Sequence, residues 1–286
     1  MRFAVLGGDR RSAILCSMLH DDGHRLSTFA LEKAELPEEI LRAGCLQSAV
    51  YGADCVLLPV PAERAGFLNA PLSSETIAMK ELISSLWKGQ ILCGGRFSDS
   101  SCLAGIRAGL HVEDIMRRPD FTAGNAALTE EGAVEKLMAG SEKSLWGSRV
   151  LVTGWGRIGK ILARRLPAMG ADTAVCARKS ADRAMIRALG TEALQYSELE
   201  GRIGDFDFIV NTVPDRVITK AMLCCCRGGT VILELASPPG GFDRNLAENI
   251  GLKVTAAPGL PGKCAPYTGA RLMKEAVYTA ISEQGE

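Results

Sequence analysis

The stretch that decides the fold is VLVTGWGRIGK, residues 150–160. Its first four residues are β-favouring or small and suit a strand buried on both faces of a parallel sheet. Gly154 permits a tight turn, Gly156 lets a pyrophosphate approach the backbone, and Gly159 lets the following helix lie close to the strand. The helix N-terminus offers N–H groups to the phosphates. The stretch predicts a dinucleotide-binding unit whose cofactor contacts are Gly154, Trp155, Gly156, Arg157, Ile158 and Gly159.

The end of the next strand, predicted over 173–177, indicates which dinucleotide is bound. Enzymes that use NAD carry Asp or Glu there to hold the ribose hydroxyls. This chain has Ala177 instead, followed by Arg178, Lys179 and Ser180. The missing carboxylate removes repulsion toward a 2′-phosphate, and a guanidinium offers that phosphate a planar pair of donors. We therefore predict NADP, with NAD as the alternative; the competing interpretation is that Arg178 and Lys179 are solvated surface charges.

Composition narrows the classes of protein. The chain has 286 residues, 47% hydrophobic and 23% charged, which is enough for two domains with substantial cores. Its 33 basic residues balance its 33 acidic residues, so an electrostatic footprint for nucleic acid is absent. No apolar run reaches the length of a membrane span. We expect a cytoplasmic protein without nucleic-acid or membrane partners.

Ten cysteines in a chain without a secretion signal indicate reduced thiols. Cys224, Cys225 and Cys226 are adjacent and point in different directions on a helix, so they suit joint chelation of a metal poorly. We expect them to be small buried side chains at a helix end. The three histidines share no motif spacing, and we predict no metal site.

The order of elements predicts an α/β fold with two doubly wound parallel-sheet domains joined by crossing helices, the second domain being a Rossmann NAD(P)-binding domain. Residues 1–122 are predicted to form a flavodoxin- or Rossmann-like substrate-side domain, with a helix around 74–87. Residues 143–267 are predicted to form the NADP-binding domain. An interdomain helix is expected within 123–142, at about 125–139, and a C-terminal helix within 268–286 is expected to pack back onto the first domain.

Four further runs fall at predicted strand ends, where open α/β sheets place ligands. They are GGDRR from Gly7, NTVP from Asn211, ELASPPGG from Glu234 and APGLPGKCAPYTG from Ala257. The second run adds Thr212, Val213 and Pro214 to the predicted cofactor contacts. Together with the TEEG run from Thr129 and the glycine stretch, these runs resemble the A subunit family of dipicolinate synthase over nearly the whole chain.

The resemblance implies an oxidoreductase that converts a dihydrodipicolinate-like intermediate to dipicolinate, pyridine-2,6-dicarboxylate, with NAD(P)+ as acceptor. It also implies a partner, the flavoprotein-like B subunit, together with a small dicarboxylate substrate and a role in sporulation in the mother cell of a spore-forming bacterium. Self-association into a homo-oligomer stays open. Two alternatives also stay open: another two-domain dehydrogenase acting on a hydroxy acid, an amino acid or a shikimate-like substrate, and a non-catalytic NADP-binding scaffold.

Such a reaction needs donors for two carboxylates and a base. Arg11, supported by Gly8, is the first candidate for binding a carboxylate, ahead of Arg10, and Arg96 is a weaker candidate. Lys263 is a candidate for binding a carboxylate or taking the proton. Asp9 is a candidate base or a helix N-cap. Asn125 and Glu131 are candidates for touching substrate or for capping a helix.

Overall fold

The computed structural model describes residues 1–284, so residues 285 and 286 of the predicted C-terminal segment lie outside the described part. The chain folds as two compact units. The first contains Met1–Asn125 and the residues from Ala265 onward, and the second contains Ala126–Cys264. No helix within 1–284 is both long and apolar enough to cross a membrane.

The first unit is built from alternating strands and helices. Its strands are β1 (Arg2–Leu6), β2 (Arg25–Phe29), β3 (Leu41–Arg42), β4 (Cys55–Leu57), β5 (Glu63–Arg64), β6 (Phe67–Leu68), β7 (Ile91–Gly94) and β8 (His111–Asp114). Its helices are α1 (Arg10–Asp21), α2 (Leu46–Val50), α3 (Met79–Ser84), α4 (Asp99–Arg107) and the first part of α5 (Pro119–Ala139), in which the boundary between the units falls.

The second unit repeats the alternation. Its strands are β9 (Arg149–Thr153), β10 (Asp172–Cys176), β11 (Glu192–Leu194), β12 (Phe208–Asn211), β13 (Val231–Glu234) and β14 (Lys253–Ala256). Its helices are α6 (Arg157–Ala168), α7 (Ser180–Ala188), α8 (Lys220–Cys225), α9 (Arg244–Asn249) and α10 (Leu260–Cys264). The final helix, α11 (Pro266–Gln284), belongs to the first unit and packs along α1.

Both units contain a six-stranded parallel sheet with the same strand arrangement. The order is β3-β2-β1-β4-β7-β8 in the first unit and β11-β10-β9-β12-β13-β14 in the second, while β5 and β6 form a separate antiparallel hairpin. In each sheet the next two strands of the chain lie on one side of the first strand, and the later strands lie on its other side. This reversal opens a crevice at the carboxyl ends, between β1 and β4 and between β9 and β12. The predicted fold class is confirmed.

Alternate residues of each central strand enter different cores. In β9, Val150 and Val152 belong to one buried cluster and Leu151 belongs to another. Because successive side chains of a strand point to opposite faces, both faces of the sheet are covered by helices. Residues 150–152 are therefore a continuous apolar run, and Thr153 follows them, fully buried, at the carboxyl end of the strand.

Three predictions about elements were wrong in part. The helix expected around 74–87 is the six-residue α3. Helix α5 begins at Pro119, before the predicted start, because proline suits the first position of a helix. Gly124 lies inside the helix, where a Cβ would come 2.8 Å from Leu272 Cδ1, so the glycine serves close packing. Cys224 and Cys225 are exposed and only Cys226 is half-buried, since α8 ends at Cys225 and turns them to solvent.

Candidate functional site

The glycine turn of the second unit has the geometry of a phosphate cradle. Gly154 follows β9 with a φ of 100°, which favours glycine. A Cβ on Gly159 would lie 2.2 Å from the carbonyl oxygen of Gly154, so the first turn of α6 packs directly on the strand end. Gly156 is the N-cap of α6, and a Cβ there would meet nothing within 4 Å. The backbone at Gly156 is thus open to an approaching anion.

The segment after β12 lies against this turn. The hydroxyl of Thr212 donates to the carbonyl of Thr153 at 2.7 Å, and the amide of Thr212 donates to the same oxygen at 3.1 Å. A Cβ on Gly154 would be 2.8 Å from Val213 Cγ2. The structure therefore brings Gly154, Thr212 and Val213 together at the crevice, with the exposed Pro214 following them. Trp155 and Ile158 are half-buried beside the turn and Arg157 is exposed.

The end of β10 is followed by cations, and the next carboxylate in sequence is Asp182 in the first turn of α7. Ala177 is buried, whereas Arg178, Lys179 and Ser180 are exposed where α7 begins. This end is tied to the glycine turn by a hydrogen bond from the Gly154 amide to the Cys176 carbonyl, at 2.8 Å. The corner can offer a guanidinium, an ammonium, a hydroxyl and a helix N-terminus to an anion.

Sequence reasoning did not single out Arg183, which stabilises that corner. Its Nη1 donates to the carbonyl oxygens of Ala177 and Arg178 at 2.9 and 2.7 Å. Two carbonyl oxygens between β10 and α7 are thereby hydrogen-bonded to a cation. The signal was present in the sequence, since Arg183 is one helical turn beyond Lys179 and residues three or four apart share a helix face.

The corresponding corner of the first unit is built differently. Gly8 has a φ of 105°, and a Cβ there would fall 1.9 Å from Ser12 Oγ. Asp9 is the N-cap of α1, and its carboxylate accepts from the Arg11 amide at 3.0 Å. Asp9 therefore occupies, with its own anion, the helix N-terminus that Gly156 leaves open in the second unit.

Arg11 is the partner of that carboxylate. Its Nε and Nη2 donate to Asp9 Oδ1 and Oδ2 at 3.0 and 2.9 Å, and Nη2 also donates to the carbonyl of Val60. The Arg11 residue is only 5% exposed, whereas the Asp9 side chain is 33% exposed, so the bidentate pair is open to solvent on the side of Asp9. The structure brings two predicted site residues together, and Asp9 has the capping role that was its alternative.

The remaining predicted residues lie on helices. Lys263 is exposed on α10 and Glu131 is exposed on α5, both in the second unit, while Asn125 is half-buried on α5 in the first. Because α5 starts at Pro119, Asn125 and Glu131 lie in the helix interior and the capping alternative is wrong for both. Their neighbour Glu130 is fully buried, and burial raises the pKa of its carboxyl.

Comparison with known proteins agrees with the two units. Residues 2–116 match the N-terminal domain of the dipicolinate synthase A subunit, and residues 118–226 match the NAD-binding domain of D-isomer specific 2-hydroxyacid dehydrogenases. The fold is shared with a transhydrogenase from Sinorhizobium meliloti (15% identity, TM-score 0.70, 98% of this chain and 93% of that one). The chain is thus a two-unit protein of the dehydrogenase type with an NAD-binding domain.

A more specific kinship extends over the whole chain. It is 28% identical to the dipicolinate synthase A subunit of Bacillus subtilis (strain 168), over 99% of this chain and 96% of that protein. It superposes on the crystal structure of the A subunit from Bacillus halodurans with a TM-score of 0.86 and 26% identity, covering 97% and 96% of the two chains. The protein is a homologue of the dipicolinate synthase A subunit, and the resemblance stated from its motifs is confirmed.

Proposed function

We propose that this chain is the NADP-dependent dehydrogenase component of a dipicolinate synthase. It would oxidise a dihydrodipicolinate-type intermediate to dipicolinate together with a flavoprotein-like B subunit, in the cytoplasm of the mother cell during sporulation. The observation that carries the proposal is the similarity to the A subunit of Bacillus subtilis over 99% of the chain. The open glycine turn at Gly156 supports the dehydrogenase part.

The reaction removes one hydride and one proton from a dihydropyridine ring that bears two carboxylates, and aromatisation drives it. Bound NADP+ would supply the hydride acceptor. In this proposal Gly154, Gly156 and Gly159 cradle the pyrophosphate, with Thr212–Pro214 as the opposite wall. The chain then has to orient two carboxylates and accept the proton.

The first unit supplies one carboxylate donor in this proposal. Asp9 holds the guanidinium of Arg11 at Nε and Nη2, so its orientation is fixed. Arg11 Nη1 has no hydrogen-bond partner within residues 1–284, which leaves its two N–H groups as directed donors for a substrate carboxylate. Gly8, Asn125 and Glu131 are the further proposed substrate contacts. Lys263 or Asp9 takes the proton.

The preference for NADP over NAD rests on the end of β10. No carboxylate stands in residues 177–181, where an NAD enzyme would hold its ribose. Arg178, Lys179 and Ser180 are exposed there, in positions to bind a 2′-phosphate. Arg183 compensates the two nearest carbonyl oxygens, which lowers the electrostatic cost of bringing in an anion.

The test is a reconstituted assay. The product of dihydrodipicolinate synthase is supplied with NADP+ or NAD+ to this protein, alone and with its B subunit, and both reduced cofactor and dipicolinate are measured. The proposal expects dipicolinate formation with NADP+, at one mole of reduced cofactor per mole of product. Absence of dipicolinate in every mixture overturns it. Cofactor binding without reduction in any mixture would instead indicate a non-catalytic scaffold.

A further inference from the structure

A row of polar side chains crosses the sheet of the second unit at its carboxyl edge. Thr153, Asn211 and Glu234 are the last residues of three adjacent strands, β9, β12 and β13. The strand register pairs Asn211 with Thr153 on one side and with Glu234 on the other. Thr153 and Asn211 are completely buried and Glu234 is half-buried. Apart from Arg149, the first residue of β9, the rest of these strands is apolar, so at the carboxyl edge the polar side chains are those of the row.

The hydrogen bonds of the row have one consistent direction. The Thr153 hydroxyl donates to Asn211 Oδ1 at 2.5 Å, and Asn211 Nδ2 donates to Glu234 Oε1 at 2.6 Å. An ionised carboxylate can only accept, which fixes the Asn211 amide nitrogen on the side of Glu234. Glu234 thereby sets the orientation of Asn211.

That orientation determines the loop that follows β12. Asn211 Oδ1 accepts from the amide of Val213 at 3.3 Å, and Asn211 Nδ2 donates to the carbonyl of Val213 at 2.9 Å. The oxygen and the nitrogen of one side-chain amide thus both bond to a residue of the NTVP run. This is the run whose Thr212 packs on the glycine turn. Rotating the amide would break both contacts.

Glu234 also holds the loop of residues 235–241, called the SPPGG loop after its residues 237–241. Its Oε1 accepts from the Ala236 amide at 2.9 Å and its Oε2 accepts from the Gly241 amide at 2.8 Å. A Cβ on Gly241 would lie 2.3 Å from Asn211 Nδ2, so the returning loop packs directly on the row. One carboxylate therefore joins both ends of this loop to Asn211.

We propose that Glu234 is a positioning residue for dinucleotide binding: through Asn211 it fixes the NTVP run against the glycine turn, and through Ala236 and Gly241 it fixes the SPPGG loop beside it. This inference rests on the proposed function. Glu234 is not a cofactor ligand in it. Well-packed apolar side chains would stabilise a strand end at least as well as a partly buried carboxylate, so the network is better explained by what it orients.

The test compares Glu234→Gln with Glu200→Gln, an exposed glutamate of the same unit, as the matched control. The amide of the new Gln side chain directs an N–H at either Asn211 Nδ2 or a loop amide, so one donor faces another. NADPH and NADH are titrated by fluorescence well below the unfolding temperature, which is measured in parallel. We expect Glu234→Gln to weaken both cofactors about 10- to 100-fold, the cost of one buried unsatisfied group, and the control to match the wild type.

A second pair of variants tests the direction of the hydrogen bonds. Asn211→Asp places two carboxylates together, whereas the double variant Asn211→Asp with Glu234→Gln restores a donor between them. We expect the double variant to bind both cofactors more tightly than Asn211→Asp alone. Binding of the double variant as weak as the product of the two single losses would contradict the orienting role.

The outcomes separate the two proposals. If the wild type binds neither cofactor, the proposed function is overturned and the role of Glu234 falls with it. If the wild type binds and Glu234→Gln keeps its affinity within twofold while its unfolding temperature drops, Glu234 is only structural. Loss of NADPH affinity alone would also overturn the inference, because β9 and β12 separate Glu234 from β10 and Glu234 acts on parts common to both cofactors.

Discussion

Replacing Gly156 by alanine separates cofactor binding from folding. Gly156 has a φ of −79°, which alanine adopts freely, and the added methyl group would meet nothing within 4 Å. The main cost is that alanine is a poorer N-cap than glycine, which we place below about 1 kcal/mol. For a protein of this size that lowers the unfolding temperature by at most about 4 °C.

The same methyl group stands where a pyrophosphate would approach the backbone. Keeping the phosphate at a distance removes at least one hydrogen bond to a charged group, worth about 1.5–3 kcal/mol, or roughly a 10- to 150-fold loss of affinity. NADPH and NADH share the pyrophosphate. We therefore expect Gly156→Ala to weaken both equally while the protein stays folded.

Gly159→Ala provides the comparison. Its Cβ would lie 2.2 Å from the Gly154 carbonyl oxygen, about 1 Å inside ordinary contact distance. Such overpacking costs about 1–3 kcal/mol, so the unfolding temperature should drop by about 2–12 °C. Cofactor affinity is measured by fluorescence titration, and the unfolding temperature by thermal unfolding, for both variants. Wild-type affinity in folded Gly156→Ala would refute the placement of the pyrophosphate.

Other variants probe the remaining interpretations. Arg178→Ala should weaken NADPH binding by about 1–3 kcal/mol through loss of a charge-assisted contact and leave NADH binding unchanged; equal losses in both titrations would argue against a 2′-phosphate site. Lys263→Ala should retain cofactor affinity and lose turnover in the reconstituted assay, whereas lost affinity would place Lys263 on the nucleotide side. Burial raises the pKa of the Glu130 carboxyl above its ordinary value of 4.5. Ionisation of this carboxyl therefore lowers the folding stability once the pH rises above that ordinary value. Glu130→Gln should therefore raise the unfolding temperature at neutral pH, by an amount that shrinks as the pH falls toward 4.5; a variant less stable than the wild type at neutral pH would show that the contact with Arg165, at 3.3 Å, outweighs the burial.

The features that could be predicted from the sequence are local ones. The spacing of Gly154, Gly156 and Gly159 follows from how a strand, a turn and a helix must meet, and all three requirements lie within six residues. The apolar run of β9 likewise predicts its own burial. The end of β10 could be interpreted because the informative residue, Ala177, directly follows the strand.

The features that were missed depend on contacts between distant parts of the chain. The Asp9–Arg11 pair is local, but Arg11 also donates to the carbonyl of Val60, which lies 49 residues away in the sequence and follows β4. The row that ends in Glu234 requires the register of three strands, which no single segment specifies. The exposure of Cys224 depends on where a six-residue helix stops, and short helices have weak boundary signals.

The contrast between Asp9 and Gly156 bears on how the protein behaves among the many phosphorylated metabolites of a cell. Two sheets with one strand arrangement would ordinarily present two helix N-termini to every nucleotide in solution. In the first unit the Asp9 carboxylate already accepts from the Arg11 amide at the start of α1, so a phosphate arriving at that helix N-terminus finds this donor taken. The N-terminus of α1 in the first unit is thus occupied by the chain itself, whereas the N-terminus of α6 in the second unit stays open to nucleotides.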